Sequence, residues 1–250
     1  MDIDMQFIEL CETGNLVLAK QLLQANPTIN ISIYDEMTFR YACCYGHLEV
    51  CQWLLLIKPD INISINDEMV FRRACFNGLL EVCQWLLQIK PDINISIYDE
   101  EAFRNACENG DLLLAQWLLL IKPDINISIY DERVFRNACL NGHLEVCQWL
   151  LQIKPDINIS INDEEAFRNA CENGRLKVCQ LLQSLKPYLY VIHYGEDGSY
   201  KDYYIRSKEE ERWEKRKLLV WLASDSTPCK KNLLYKIPED VSRYIIQMYL

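Results

Sequence analysis

Hydrophobic positions along the chain follow a helical rhythm that is interrupted and restarted at fixed intervals. In the stretch from Asp67 to Tyr98, Phe71, Ala74 and Cys75 fall at i, i+3 and i+4, one apolar stripe of a helix. Asp67 suits the N-cap of that helix and Glu68 its first turn, beside the positive end of the dipole. Gly78 stops the stripe where a left-handed residue costs glycine nothing. Leu80, Val82, Cys83, Trp85, Leu86, Leu87 and Ile89 then predict a second helix, apolar around most of its circumference and so sandwiched between neighbours. Pro91 ends it. Ile93, Ile95 and Ile97 alternate with Asn94 and Ser96, a period of two that predicts an extended stretch leading to Asp99. The unit reads helix, turn, helix, extended loop.

That unit is written six times. Phe7, Phe39, Phe71, Phe103, Phe135 and Phe167 are spaced by 32 residues, and each is followed seven residues later by a glycine, Gly14 to Gly174. A fixed period of this length predicts a solenoid, in which each copy buries its apolar face only against its neighbours. The expected fold is all-α: helix-turn-helix units joined by short hairpin loops over residues 1–187. Solenoids mostly work as extended binding surfaces, so recognition is expected rather than catalysis.

Composition narrows the picture. The chain has 250 residues, half of them hydrophobic and a quarter charged, with a formal net charge of −10. That balance disfavours a nucleic-acid backbone or an anionic membrane surface as partner. No run is apolar enough for a transmembrane helix and the start, Asp2-Ile3-Asp4 after Met1, lacks the character of a signal peptide, so a reducing, cytoplasmic setting is expected. Eleven of the 12 cysteines lie in the copies, mostly at two places: Cys43, Cys75, Cys107, Cys139 and Cys171, then Cys51, Cys83, Cys147 and Cys179. No CxxC pair is formed there, and the reading is packing as small buried hydrophobes, with metal binding as the alternative. Trp53, Trp85, Trp117 and Trp149 form a ladder expected to pack between copies, the alternative being a ligand-stacking groove. Three histidines (His47, His143, His193), no glycine-rich phosphate loop and no nucleophile elbow argue against an enzyme. No cofactor and no metal are expected.

Ala42-Cys43-Cys44-Tyr45-Gly46-His47-Leu48-Glu49-Val50, followed by Leu54-Leu55 and Asp60-Ile61-Asn62, resembles the ankyrin repeat, with its A-A-x-x-G-H-x-x-V and L-L-x-x-G-A-D-V-N strings. The likeness runs from residue 1 to about 187. It departs at the family's T-P-L-H turn, replaced here by variable residues before Phe39-Arg40, so that Asp35 is expected to cap instead. The repeated K-P-D-I-N-I-S-I and C-Q-W-L-L phrases are similar to ankyrin proteins of giant amoeba-infecting DNA viruses. The resemblance implies a monomeric protein-binding scaffold.

After Lys186-Pro187 the period fails. Tyrosines crowd residues 188–206 around Gly195-Glu196-Asp197-Gly198, which reads as a hairpin turn. Ser207 and Glu210 form a capping box for a helix to about Ala223. Residues 188–223 are read as a divergent unit capping the array; the alternative is a tyrosine binding patch. The segment 233–250 carries Ile237, Pro238, Val241, Ile245, Ile246 and Tyr249 in a string resembling the first helix of an F-box. That is similar to the truncated F-box of poxviral ankyrin proteins, and it implies contact with the Skp adaptor of a cullin ubiquitin ligase through those six residues. The alternative is a helix that only docks on the cap.

Positions that vary while their neighbours are frozen are candidates for reading a partner. Two before the phenylalanine stand Met37, Met69, Glu101, Arg133 and Glu165; five after it, Cys44, Phe76, Glu108, Leu140 and Glu172. At the hairpin tip stand Tyr34, Asn66, Tyr98, Tyr130 and Asn162. The ankyrin resemblance implies that all three positions border a concave groove; drift of neutral surface after duplication is the other explanation. Arg40, Arg72, Arg104, Arg136 and Arg168 recur and are expected to make structural hydrogen bonds or ion pairs.

Overall fold

A computed structural model describes residues 2–195, 200–206 and 210. The chain divides into two compact units, Met1–Asn158 and Ile159–Leu250. In the first, helices come in pairs: α1 (Ile3–Glu12) with α2 (Leu16–Ala25), α3 (Ile33–Cys44) with α4 (Leu48–Ile57), α5 (Ile65–Phe76) with α6 (Leu80–Ile89), α7 (Ile97–Asn109) with α8 (Leu112–Ile121), and α9 (Ile129–Asn141) with α10 (Leu144–Ile153). Each first helix packs on its own second helix, and α1, α3, α5 and α7 each pack on the first helix that follows. The second unit holds α11 (Ile161–Glu172), α12 (Leu176–Leu185), β1 (Tyr190–Tyr194) and β2 (Tyr200–Ile205).

The stripe read from the sequence is the core. Phe7, Phe39, Phe71, Phe103 and Phe135 are at most 1% exposed, and the alanines and cysteines that follow them are equally buried. Small residues there let neighbouring helices approach closely. Trp53, Trp85, Trp117 and Trp149 are half-buried, and three of them are seen to bridge copies: Trp53 lies 6.0 Å from Phe7, Trp85 6.3 Å from Phe39 and Trp149 6.2 Å from Phe103. The ladder therefore packs between copies. Gly110 ends α7 in the left-handed region (φ 84°), and the His143 ring of the next copy lies where a Cβ on it would stand. His47 sits over Gly14 in the same way, so both histidines have a packing role.

Two local expectations change. The stretch after Pro91 is not extended: it makes consecutive turns, with the Asn94 side chain accepting from the Ser96 N–H at 3.1 Å. Among the described residues no strand lies beside it to satisfy a ladder, and the asparagine supplies the acceptor locally. The second change concerns the residues expected to cap the first helix. Asn66, Asp67 and Glu68 have φ of 50°, 57° and 58°, a left-handed turn, and the right-handed helix begins only after Glu68. The same turn recurs from Tyr34, Tyr98, Tyr130 and Asn162. Left-handed backbone costs about 1–2 kcal/mol per non-glycine residue, so something must hold it. The recurring arginine does: Arg72 Nε donates to the Asp67 carbonyl at 2.9 Å and Nη2 to that of Asn66 at 3.3 Å. Arg104 and Arg136 repeat both bonds. Asp35 and its equivalents therefore stand inside the left-handed turn rather than at a helix N-cap.

The glutamate of the turn joins one copy to the next. Glu36 is 8% exposed; Ser32 Oγ donates to one of its oxygens at 2.6 Å and the Asn62 N–H to the other at 3.4 Å. Glu132 takes Ser128 and the Asn158 N–H likewise. A second joint runs the other way: Asn77, Asn109 and Asn141 donate to the carbonyls of Cys44, Phe76 and Glu108, which end the preceding first helix.

In the second unit, β1 and β2 pair antiparallel with Tyr190 opposite Ile205 and an irregularity between His193 and Tyr194. The mostly helical fold thus carries one small sheet, where the hairpin was expected. Tyr190 is fully buried and stacked on Phe167 with ring centroids 4.0 Å apart. Its hydroxyl donates to Glu164, doing there what the next copy's N–H does for Glu36 and Glu132. Apart from Glu210, the helix expected over 207–223 lies outside the described residues, as do the turn at 196–198 and the segment 233–250 with Ile237, Pro238, Val241, Ile245, Ile246 and Tyr249.

Candidate protein-binding face

Along the first helices of the Met1–Asn158 unit, the variable positions of adjacent copies converge. Between the second and third copies a hollow of about 390 Å³ is lined by Arg40, Tyr41, Cys44, Tyr45, Met69 and Arg73, among others. Between the third and fourth, Met69, Arg72, Arg73, Phe76 and Glu101 border a smaller one of about 160 Å³. Arg72 Nη1 there donates to Glu101 Oε2 at 2.5 Å in a partly buried ion pair. Further along, Asn137 donates to Glu108 Oε2 at 2.9 Å, Arg133 is exposed, and Met37 and Leu140 are half-buried.

The tip residues carry structural ties as well as exposure. Tyr98 is 51% exposed, yet its hydroxyl donates to Asp67 Oδ2 of the preceding copy at 2.6 Å. The Arg72 guanidinium lies 4.7 Å from the centre of its ring. Tyr130 repeats this with Asp99 and Arg104. Donating to a carboxylate pushes both phenols above their ordinary pKa, because losing the proton would leave two anions in contact. Tyr34 is 56% exposed, and the preceding copy has Ile3 in place of the aspartate. Asn66 is exposed. In the Ile159–Leu250 unit, Asn162 donates to Glu165 at 3.0 Å and Glu172 accepts from Tyr203 at 2.9 Å.

Tyr41, Tyr45 and Arg73 escaped the sequence reading although they line the larger hollow. The signal was available for two of them: the place two after the phenylalanine holds Tyr41, Arg73, Asn105, Asn137 and Asn169.

The cysteines behave as interior groups. Cys43 and Cys51 sulfurs lie 3.2 Å apart, Cys75 and Cys83 3.4 Å, and Cys139 and Cys147 3.5 Å, all as free thiols. Burial pushes the Cys11 thiol up to about 12, and those of Cys43, Cys75 and Cys107 upward too. Cys44 is half-buried; burial raises its pKa, and the nearby Arg73 and Arg40 charges oppose the rise. Among the described residues no group of three or more His, Cys, Asp or Glu is arranged to hold a metal ion. No described helix is long and apolar enough to cross a membrane.

Stacked helix pairs with a variable first-helix face define a repeat-built helical solenoid. The sequence matches the family of ankyrin repeats (3 copies) over residues 7–99 and 103–190, and the chain belongs to that family. Among solved structures it is similar to the human ASB11 ankyrin repeat domain, with a TM-score of 0.53 and 16% identity over 93% of this chain and 97% of that one. An ankyrin repeat family protein from Legionella pneumophila aligns at 20% identity over 71% of this chain and 69% of its own, with a TM-score of 0.40. A search of curated proteins gave no match.

Proposed function

We propose that this chain is a non-catalytic scaffold that holds a partner protein along the first-helix face and the hairpin tips. One observation carries the reading: residues that differ between otherwise near-identical copies gather around the two hollows on that face. Phe76 is 44% exposed there, and Arg133 is exposed two positions from the next phenylalanine. An apolar anchor beside charged residues is the make-up of an interface with a core and a polar rim. The test uses binders selected on the full chain from a displayed random-peptide library. Phe76→Ala combined with Arg133→Glu should cost about 2 kcal/mol or more of affinity, on hot-spot precedent, with the melting temperature retained. Gln88→Ala and Gln152→Ala, on the second helices, should cost little. The opposite ranking refutes the assignment.

The tail extends the proposal. The likeness of 233–250 to a truncated F-box supports recruitment of a Skp adaptor, with the groove partner delivered to a cullin ligase, as a viral protein would do in a host cytoplasm. Affinity purification from cells of the full chain and of a version ending at Thr227 decides this. Skp and cullin should appear with the full chain alone; their absence from both leaves the tail as a docking helix.

A further inference from the structure

The arginine that follows the phenylalanine in every copy but the first does not have the same surroundings throughout. Arg72, Arg104 and Arg136 point Nε at a carbonyl of the left-handed turn, at 2.9, 2.8 and 2.9 Å. Arg40 does not: its Nε is buried without a hydrogen-bond partner, and Nη1 points at the Met69 sulfur at 3.2 Å. Thioether sulfur is a weak acceptor. One copy along, the place of Met69 is taken by Glu101, whose carboxylate binds Arg72. The station facing Arg40 is thus built like one that takes a carboxylate, with its own carboxylate missing.

A second cation makes the same point. Arg73 stands where other copies have Tyr41, Asn105, Asn137 and Asn169, and it lines the same hollow as Arg40. No described carboxylate lies within ion-pair distance of either arginine. Arg40 Nη2 does donate to the Tyr34 carbonyl at 3.1 Å, but the protein carries 36 acidic against 26 basic side chains, so two guanidinium groups in one hollow with no described carboxylate partner run against its overall balance. Tyr41, Tyr45, Val70 and Met69 line the same hollow.

We propose that this hollow takes the side-chain carboxylate of an Asp or Glu in a partner protein, paired with Arg40 and Arg73. The inference rests on the protein-binding reading of the same face and adds the partner's chemistry. The Arg72–Glu101 pair favours a carboxylate over a phosphate, since the neighbouring station already accepts one.

Twelve-residue peptides selected on the full chain from a phage-displayed random library provide the probe. The selected peptides should share an Asp or Glu beside an apolar residue, and its change to Asn or Gln should weaken binding about tenfold or more. Arg73→Gln should cause a similar loss without affecting folding, because among the described residues no hydrogen bond or ion pair holds the Arg73 side chain. Met69→Glu should abolish binding by supplying the missing acid from within, as Glu101 does. In the Arg73→Gln protein the peptide's own acid should no longer matter. Peptides indifferent to both substitutions, yet lost with Phe76→Ala and Arg133→Glu, overturn the inference and leave the protein-binding face standing. Peptides that map only to Gln88 and Gln152, or a selection that yields none, overturn both. A phosphoserine replacement that binds tenfold more tightly than the acid overturns the carboxylate assignment in favour of a phosphorylated partner.

Discussion

Glu36, Glu68, Glu100 and Glu132 are 8–9% exposed, and a carboxylate so placed is destabilising unless its oxygens are hydrogen-bonded. Each receives the serine four residues before it, and Glu36 and Glu132 also receive a backbone N–H of the next copy. Glu36→Ala should therefore cost about 1–3 kcal/mol in urea unfolding, since it strands the Ser32 hydroxyl and the Asn62 N–H. Glu36→Gln keeps an acceptor and should cost less; equal losses would show that charge, not acceptance, is what matters. The thiols give a second residue-scale prediction. A thiol raised in the folded protein keeps its proton after the unfolded chain, near about 8.5, has lost its own. Its contribution to stability is complete below that pH and falls as pH rises toward about 12. Unfolding followed from pH 7 to 11 should show that decline, smaller in Cys11→Ala. With a thiol reagent at neutral pH, Cys44 should react first among the described cysteines, and rapid labelling of Cys43 or Cys75 would contradict their burial.

At the scale of elements, helices were legible because a 3.6-residue stripe needs only the sequence, and Gly78 and Pro91 stand where the helices stop. The left-handed turn was not. Tyr98-Asp99-Glu100 has the local signature of a cap and first turn, and what reverses its backbone is Arg104, which takes the carbonyls of Tyr98 and Asp99. Propensity does not register a guanidinium arriving from the next helical turn. The isoleucine alternation after Pro91 misled for a similar reason: Ile93 is buried, at 5% exposed, but a period of two implies a strand only where a neighbouring strand exists. On the face, the varying rows were visible, whereas the hollow needed Arg73 and Tyr45 brought beside Arg40 by stacking of α3 on α5. The tryptophan ladder tests this level. Trp85→Ala should destabilise by about 3 kcal/mol, the low end for aromatic truncation because the ring is half-buried. An unchanged melting temperature would return the ladder to the surface.

At the scale of the molecule, the joints matter more than the copies. Excising residues 67–98 in frame brings Asn66 against Asp99, where Asp67 stood, and preserves every repeated contact type. The shortened protein should fold cooperatively with its helical signal reduced in proportion, because stability in such arrays is set by neighbours. Removing 30 residues instead of 32 displaces the glutamate and asparagine joints and should give aggregation or loss of the transition. If both excisions behave alike, the joints do not govern the assembly.

The partners at the two joints are backbone atoms: the Asn62 N–H for Glu36, the Cys44 carbonyl for Asn77. A backbone atom is the same whatever side chain the residue carries, so these connectors recognise any neighbour of the right length and never its composition. Unequal crossing-over between the copies can lengthen or shorten the gene by whole units and still encode a protein whose seams close. Substitutions at the row of Cys44, Phe76 and Glu108 leave the acceptor carbonyl in place. The sequence can thus explore new recognition surfaces by shuffling and point change together, with assembly insulated from both.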